Sequence, residues 1–237
     1  MGEGWVLKHG KVPYLEYRNS GPFRIFFSTK YGLDFTRELG VNPIVHLKQV
    51  HSNRIIHVIH PDYVEEKNGD GLVTSNTGFY LAVKVADCYP LIILDHDTPA
   101  CGIFHVGWRG LKDGIVEKAV RYFEKHFYAD PKRLKAIFGP GIKGEYYEVG
   151  EEFREYFTDS LIEKNGKLYL DIYEKAKTIL LQKGVTNITE PPYDTYSNED
   201  LFFSKRRDGE VKGLMWAIVG IKKNAKTLSM LESETPL

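Results

Sequence analysis

"FYLAVKVADCYPLIILDHDTPACGIFHVG", residues 79–107, holds three apolar runs separated by two very short connections. The runs at 79–87, 90–95 and 100–107 are bounded by Asp, Pro, Thr and Gly, the residues that end strands. Connections at 87–90 and 95–100 are too short for the dozen or so residues of a parallel crossover, so the stretch predicts hairpin-like antiparallel pairing. Outward from it, 23–28, 54–59, 134–140 and 215–221 read as further short strands. The clearest helix begins near Leu111, after "GWRG": Leu111, Ile115, Val116, Ala119, Val120 and Phe123 recur at helical spacing, with charged residues on the other face. A second helix is expected from about Tyr173 to Lys183, stopped by Gly184, and a third over Glu151–Phe157. The expected class is α+β: a mixed, largely antiparallel sheet core flanked by helices, in a single domain covering 1–237 with the terminal "SETPL" frayed.

Composition narrows the function. Thirty-two Lys plus Arg balance thirty-two Asp plus Glu with no long block of one sign, which argues against nucleic acid or an anionic membrane as partner. A small neutral or anionic substrate fits better. No stretch approaches the roughly 20 apolar residues of a membrane span, and "MGEGWVLKHG" lacks the apolar region of a secretory signal. The expectation is a cytoplasmic protein whose two cysteines, Cys88 and Cys101, are free thiols. None of these patterns encodes an oligomeric state.

Cys88, beside Asp87 and just before Pro90, admits three readings: core filler, nucleophile or metal ligand. Catalytic zinc is typically held by three side chains of the His, Cys, Asp or Glu type with a fourth position open. His51 in "LKQVHSNRI", Cys88, and His105 in "GIFHVGWRG" could each supply one ligand from in or beside a strand, with His51 facing the same way as Gln49 and Leu47. Their separations, 37 and 17 residues, are not those of a zinc finger. On spacing alone the commoner reading of a strand Cys or His is a packed core residue.

Five stretches in order, "LKQVHSNRI", "DGLVTSNTGFYLAVKVADCYPLIILD", "CGIFHVGWRGLKDGIV", "FGPGIKGEYYEVGEEF" and "LFFSKRRDG", resemble the YfiH family, also labelled laccase-domain or polyphenol oxidase. The resemblance runs from about His46 to the C-terminus. It implies a Zn2+ site made by His51, Cys88 and His105. It also implies phosphorolysis of purine nucleosides, methylthioadenosine included, and deamination of adenosine, with purine nucleosides and phosphate as small-molecule partners. Some bacterial members are described as peptidoglycan-editing factors. A second Cys that many relatives carry is replaced here by Asp194, so no role for a thiol there is carried over.

The implied chemistry suggests further residues. Zinc lowers the pKa of bound water to about 7, giving a hydroxide for attack on C6 of adenine, with Asp87 or Glu148 as proton shuttle. Phosphorolysis needs cations to hold phosphate. Arg54, Arg109, Arg206 and Arg207 are candidates, and Arg109 is favoured because its motif leads into a helix N-terminus. Against these stand structural alternatives: Arg54 in a surface ion pair, Arg206 and Arg207 in a solvated turn, Asp87 capping a turn or orienting a ligand. Trp108, Tyr146, Tyr147, Phe202 and Phe203 are candidates for stacking on a purine, or core. His46 is near His51 in sequence alone.

Three rival classes remain. A cysteine hydrolase would use Cys88 as nucleophile and His105 as base, without metal. A binding protein would hold structural zinc in a closed four-ligand shell, for which no fourth ligand is apparent. A multicopper oxidase would need more clustered histidines than eight scattered ones supply.

Overall fold

The computed structural model describes residues 4–64 and 67–223, and it divides the quoted stretch between two sheets. The first sheet runs β1 (Gly4–His9), β2 (Pro13–Arg18), β3 (Phe23–Ser28), then β15 (Met215–Ile221), β7 (Tyr80–Val85) and β4 (Ile44–His46). The second runs β14 (Asn187–Thr189), β10 (Lys135–Phe138), β8 (Tyr89–Asp95), β9 (Ala100–Val106), β6 (Gly71–Thr74) and β5 (Ile55–His57). A small third sheet orders β11 (Glu148–Val149), β13 (Lys167–Leu170) and β12 (Leu161–Lys164). Pairing is antiparallel except at β4–β7, β5–β6 and β10–β14, so the class is α+β with a mixed, largely antiparallel core.

Every residue of β8 and β9 is buried, because both faces of the second sheet are covered. On one face Ile92, Leu94, Ile103 and Ile137 meet Phe27, Leu81, Val83 and Val219 of the first sheet. On the other, Leu91, Ile93 and Phe104 pack against α3 (Ile115–Phe127) and α4 (Ile172–Gln182). The outer face of the first sheet is covered around Phe26 and Ile218 by Phe35 of the short α1 (Asp34–Glu38). Close packing of the second sheet relies on missing side chains: a Cβ at Gly71 or Gly102 would stand 2.7 or 2.8 Å from the Phe104 ring.

The helix after "GWRG" buries the residues expected of it, but it starts earlier and in two pieces. A five-residue α2 (Trp108–Lys112) precedes α3, and Gly114, at φ +83°, turns the chain between them. The second helix spans Ile172–Gln182, capped by the Asp171 carboxylate accepting from Glu174 N–H at 2.9 Å. The third is a single 3₁₀ stretch, Glu151–Glu155. "SETPL" lies outside the described residues.

One expectation fails in an informative way. β8 and β9 form the hairpin across 95–100, but β7 and β8 do not pair: residues 86–88 carry the chain from the first sheet to the second. Asp87 makes this crossing at φ +84°, a left-handed conformation unusual for a residue with a Cβ. A short loop excludes a crossover within one sheet; it does not exclude a step to a neighbouring sheet.

Candidate metal centre

Cys88 stands where the two sheets part, and the other two candidates arrive from different directions. His105 is in β9, opposite Pro90, and 4% exposed. His51 is not on a strand. It is an exposed residue in the loop after β4, with φ +58°. The alternation that seemed to align Leu47, Gln49 and His51 ends early, because Gln49 leaves the sheet edge to pair with Lys84: its amide donates to the Lys84 carbonyl at 2.8 Å and accepts from its N–H at 2.7 Å. Despite these origins, one ligand atom from each of His51, Cys88 and His105 lies within 4.8 Å of the others. Among the described residues this is the one such cluster of three or more His, Cys, Asp or Glu.

Asp70, which sequence reasoning missed, joins the elements. Its side chain is fully buried between Gly69 and Gly71 and accepts five hydrogen bonds. Donors are the backbone N–H groups of Val50, His51 and Ser52 at 3.2, 3.0 and 2.7 Å, the Ser52 hydroxyl at 2.9 Å, and His105 Nδ1 at 2.8 Å. Its backbone carbonyl also accepts from His105 N–H at 2.7 Å. "GDG" reads as a turn; the available signal was an acid between two glycines, where close packing leaves no room for side chains. A Cβ at Gly69 would lie 2.9 Å from Leu47.

The electrostatics follow from burial and proximity. Burial alone would raise the Asp70 carboxyl, but hydrogen bonds from His105 and Ser52 outweigh it and hold it at about 2. Burial would raise the Cys88 thiol too, yet the positive charge and hydrogen bond of His105, then those of His51, bring it down to about 6. For His105 burial acts downward, and the Cys88 thiolate and Asp70 carboxylate lift it to about 9. These mutual pulls favour a thiolate at Cys88 beside a protonated His105 that is hydrogen-bonded to a carboxylate. Gly107 keeps the approach open: a Cβ there would stand 2.8 Å from Cys88 Sγ.

The three side chains line a cleft of about 780 Å³. Lys48, Lys84, Arg109, Lys205 and Arg206 bring cations to its wall, and Trp108 and Tyr147 bring aromatic surface. Arg109 lies over the Trp108 ring at 4.3 Å, and Arg206 over Tyr147 at 4.7 Å. Burial, then the charge of Cys88, push the Tyr147 phenol up to about 12 against the opposing pull of Arg206, so the ring stays neutral.

Other expected residues are placed differently. Asp87 lines the cleft, but its carboxylate accepts from the Thr195 hydroxyl and Arg206 N–H, both at 2.8 Å, so it ties walls together rather than standing free to move protons. Glu148 is exposed, paired with Lys167 at 2.8 Å and outside the cleft lining. Arg54 is exposed and also outside it. Arg207 donates to the Thr195, Tyr196 and Phe202 carbonyls and braces its own loop. The helix that Arg109 enters is only the five-residue α2, a poor source of dipole for an anion. Tyr146 stacks on Tyr196, Phe202 is core, and His46 packs on Trp216. Asp194 is buried and accepts from Lys143 and Ser197 N–H, a loop-bracing role.

The chain and its fold have counterparts among known proteins. The family described as multi-copper polyphenol oxidoreductase laccase matches residues 33–222. A protein of Deinococcus radiodurans named purine nucleoside phosphorylase is 35% identical over 182 residues, 75% of this chain and 70% of its own. A purine nucleoside phosphorylase of Clostridium acetobutylicum is 31% identical across 92% of this chain and 99% of its own. Among solved structures, YlmD from Geobacillus stearothermophilus shares the fold with a TM-score of 0.84 at 24% identity, covering 92% of this chain and all of that one. Bacillus licheniformis YfiH does so with a TM-score of 0.81, also at 24% identity, covering 88% of this chain and 96% of that one. The chain belongs to the YfiH, or laccase-domain, family.

Proposed function

We propose that this chain is a zinc-dependent purine nucleoside phosphorylase that also phosphorolyses methylthioadenosine and deaminates adenosine. The observation that carries the reading is the convergence of His51, Cys88 and His105 in a cleft walled by cations. Tetrahedral zinc with bonds of about 2.0–2.3 Å needs donors roughly 3.6 Å apart. A spread of at most 4.8 Å is within reach of side-chain adjustment, and one thiolate with two imidazoles suits zinc. No fourth His, Cys, Asp or Glu joins the cluster among the described residues, which favours an open metal over a closed structural one. When bound, zinc supplies Lewis acidity.

The chain's own groups account for the rest. Arg109 and Arg206, with Lys84 and Lys48, present donors to phosphate. Trp108 and neutral Tyr147 offer faces and a hydroxyl to a purine. Asp87 holds Arg206 at the wall through its backbone N–H. The relatives' name supports the phosphorylase reading. The oxidase description of the family does not fit one three-ligand cluster, because a multicopper centre needs several.

A second reading is favoured by Asp70: without metal, Cys88, His105 and Asp70 form a nucleophile, base and orienting acid, as in a cysteine hydrolase. Metal analysis of the purified protein separates the two. Adenosine is then supplied with and without phosphate and the products are resolved by chromatography. Adenine appearing only with phosphate, inosine appearing without it, and loss of both in Cys88→Ala are expected. Equal activity in wild type and Cys88→Ala rejects the site.

A further inference from the structure

The two histidines of the centre reach it from unrelated segments, yet both are gripped by one carboxylate. His105 is held twice, its ring Nδ1 by Asp70 Oδ1 at 2.8 Å and its backbone N–H by the Asp70 carbonyl at 2.7 Å. Among the described residues no carboxylate makes an equivalent bond to the His51 ring. Instead three successive N–H groups, of Val50, His51 and Ser52, converge on the same carboxylate and stabilise the left-handed turn at His51. For a residue with a Cβ that conformation is strained, and it persists where surrounding bonds over-determine it.

We propose that Asp70 is the positioning residue of the centre, setting both imidazoles as one unit: it keeps His105 protonated on Nδ1 so that Nε2 faces Cys88, and it fixes the turn that aims His51. The assignment rests on the metal reading above. A carboxylate behind a ligating histidine is a common way to fix a ring's tautomer and orientation. Here the same carboxylate spans two ligands, so its loss disturbs both. Asn in its place keeps the volume but presents an NH₂ group, which opposes either His105 Nδ1–H or the backbone donors, and the imidazole gains reason to move its proton to Nε2.

The test uses the full chain and zinc itself. Zinc affinity is measured by competition with a chromogenic chelator for wild type, Asp70→Asn and Ser52→Ala, with Co2+ absorption as a report of coordination. Nitrogen-15 NMR reads the imidazole tautomers in wild type. Asp70→Asn is expected to weaken zinc by at least about 100-fold and change the Co2+ spectrum, beyond what loss of one outer partner usually does. Ser52→Ala removes one donor of five and should weaken zinc by less than about tenfold. A brace with no role at the centre would lower stability and leave affinity, spectrum and tautomer alone.

Wild type binding zinc with Asp70→Asn binding it equally well overturns the proposal while leaving the metal reading intact. Wild type taking up no zinc overturns the metal reading, and the ligand-positioning role with it. Should Asp70→Asn not fold, the zinc form of wild type decides: Nδ1–H at His105, with Nε2 free of a proton, supports the assignment, and Nε2–H rejects it.

Discussion

Asp70 and Asp87 are both buried aspartates beside the same cleft, and they do different work. Asp70 accepts five hydrogen bonds, all from His51, His105 or the two neighbours of His51 in the chain. Asp87 accepts two, from Thr195 and Arg206, and so braces the opposite wall and the cation on it. Adjacency in sequence to Cys88 made Asp87 the natural candidate, whereas Asp70 precedes Cys88 by 18 residues. What distinguishes the two is the origin of the donors each carboxylate collects, which nearness along the chain does not disclose.

The contrast can be broken most directly by stability. Asp70→Asn should cost about 3 kcal/mol in the metal-free protein, since several donors to a buried charge lose their acceptor. Asp87→Asn should cost about 1 kcal/mol, because the amide oxygen can keep Arg206 N–H while the Thr195 hydroxyl turns to accept from the new NH₂. Denaturant unfolding of both variants checks this, and equal costs would erase the distinction. In activity the order should invert by kind: Asp87→Asn is expected to raise the phosphate KM about tenfold (about 1.4 kcal/mol) with zinc affinity changed less than about twofold.

Acid sharpens the comparison further. The Asp70 carboxyl is held at about 2 against an ordinary 3.8, so its contribution is fully present above pH 3.8 and is lost as pH falls through about 2. Metal-free wild type should therefore lose about 2 kcal/mol from this group over that window, a loss that Asp70→Asn does not show. Unfolding titrations from pH 4 to pH 2 measure the difference. The smallest expected effect is at Gly107, where an added Cβ would meet Cys88 and His51 first. Gly107→Ala would crowd Cys88 Sγ, with a Cβ at 2.8 Å, and should weaken zinc by about fivefold with both carboxylates undisturbed. A zinc affinity unchanged in Gly107→Ala would show that the sulfur has room to yield.

Much of the architecture was legible because it is written locally. β8, β9, β15 and the buried face of α3 follow from period and from apolar content, which survive any neighbour. The β1–β2 hairpin was missed because charged residues interrupt its apolar ones, with Lys8 opposite Tyr14 and in a diagonal ion pair with Glu16. The short strands β4, β5 and β14 have three residues each, too few to carry a period; of these only β5 fell within an expected run. Arg206 and Arg207 are neighbours with one composition, yet one faces the cleft and the other is spent on three carbonyls.

By itself the sequence determined the α+β class, the strand carrying "GIFHVG" and the buried face of the helix beyond it, and, through five motifs in order, the family and its three candidate ligands. Only the tertiary structure decided that Cys88 sits at a step between sheets, that His51 is presented by a left-handed turn, and that Asp70 binds both the His105 ring and the backbone of that turn. The reason is physical. Side-chain period is a property of neighbours along the chain, whereas a buried carboxylate takes its donors from whatever the packing brings within 3 Å or so, and that partnership leaves no local trace.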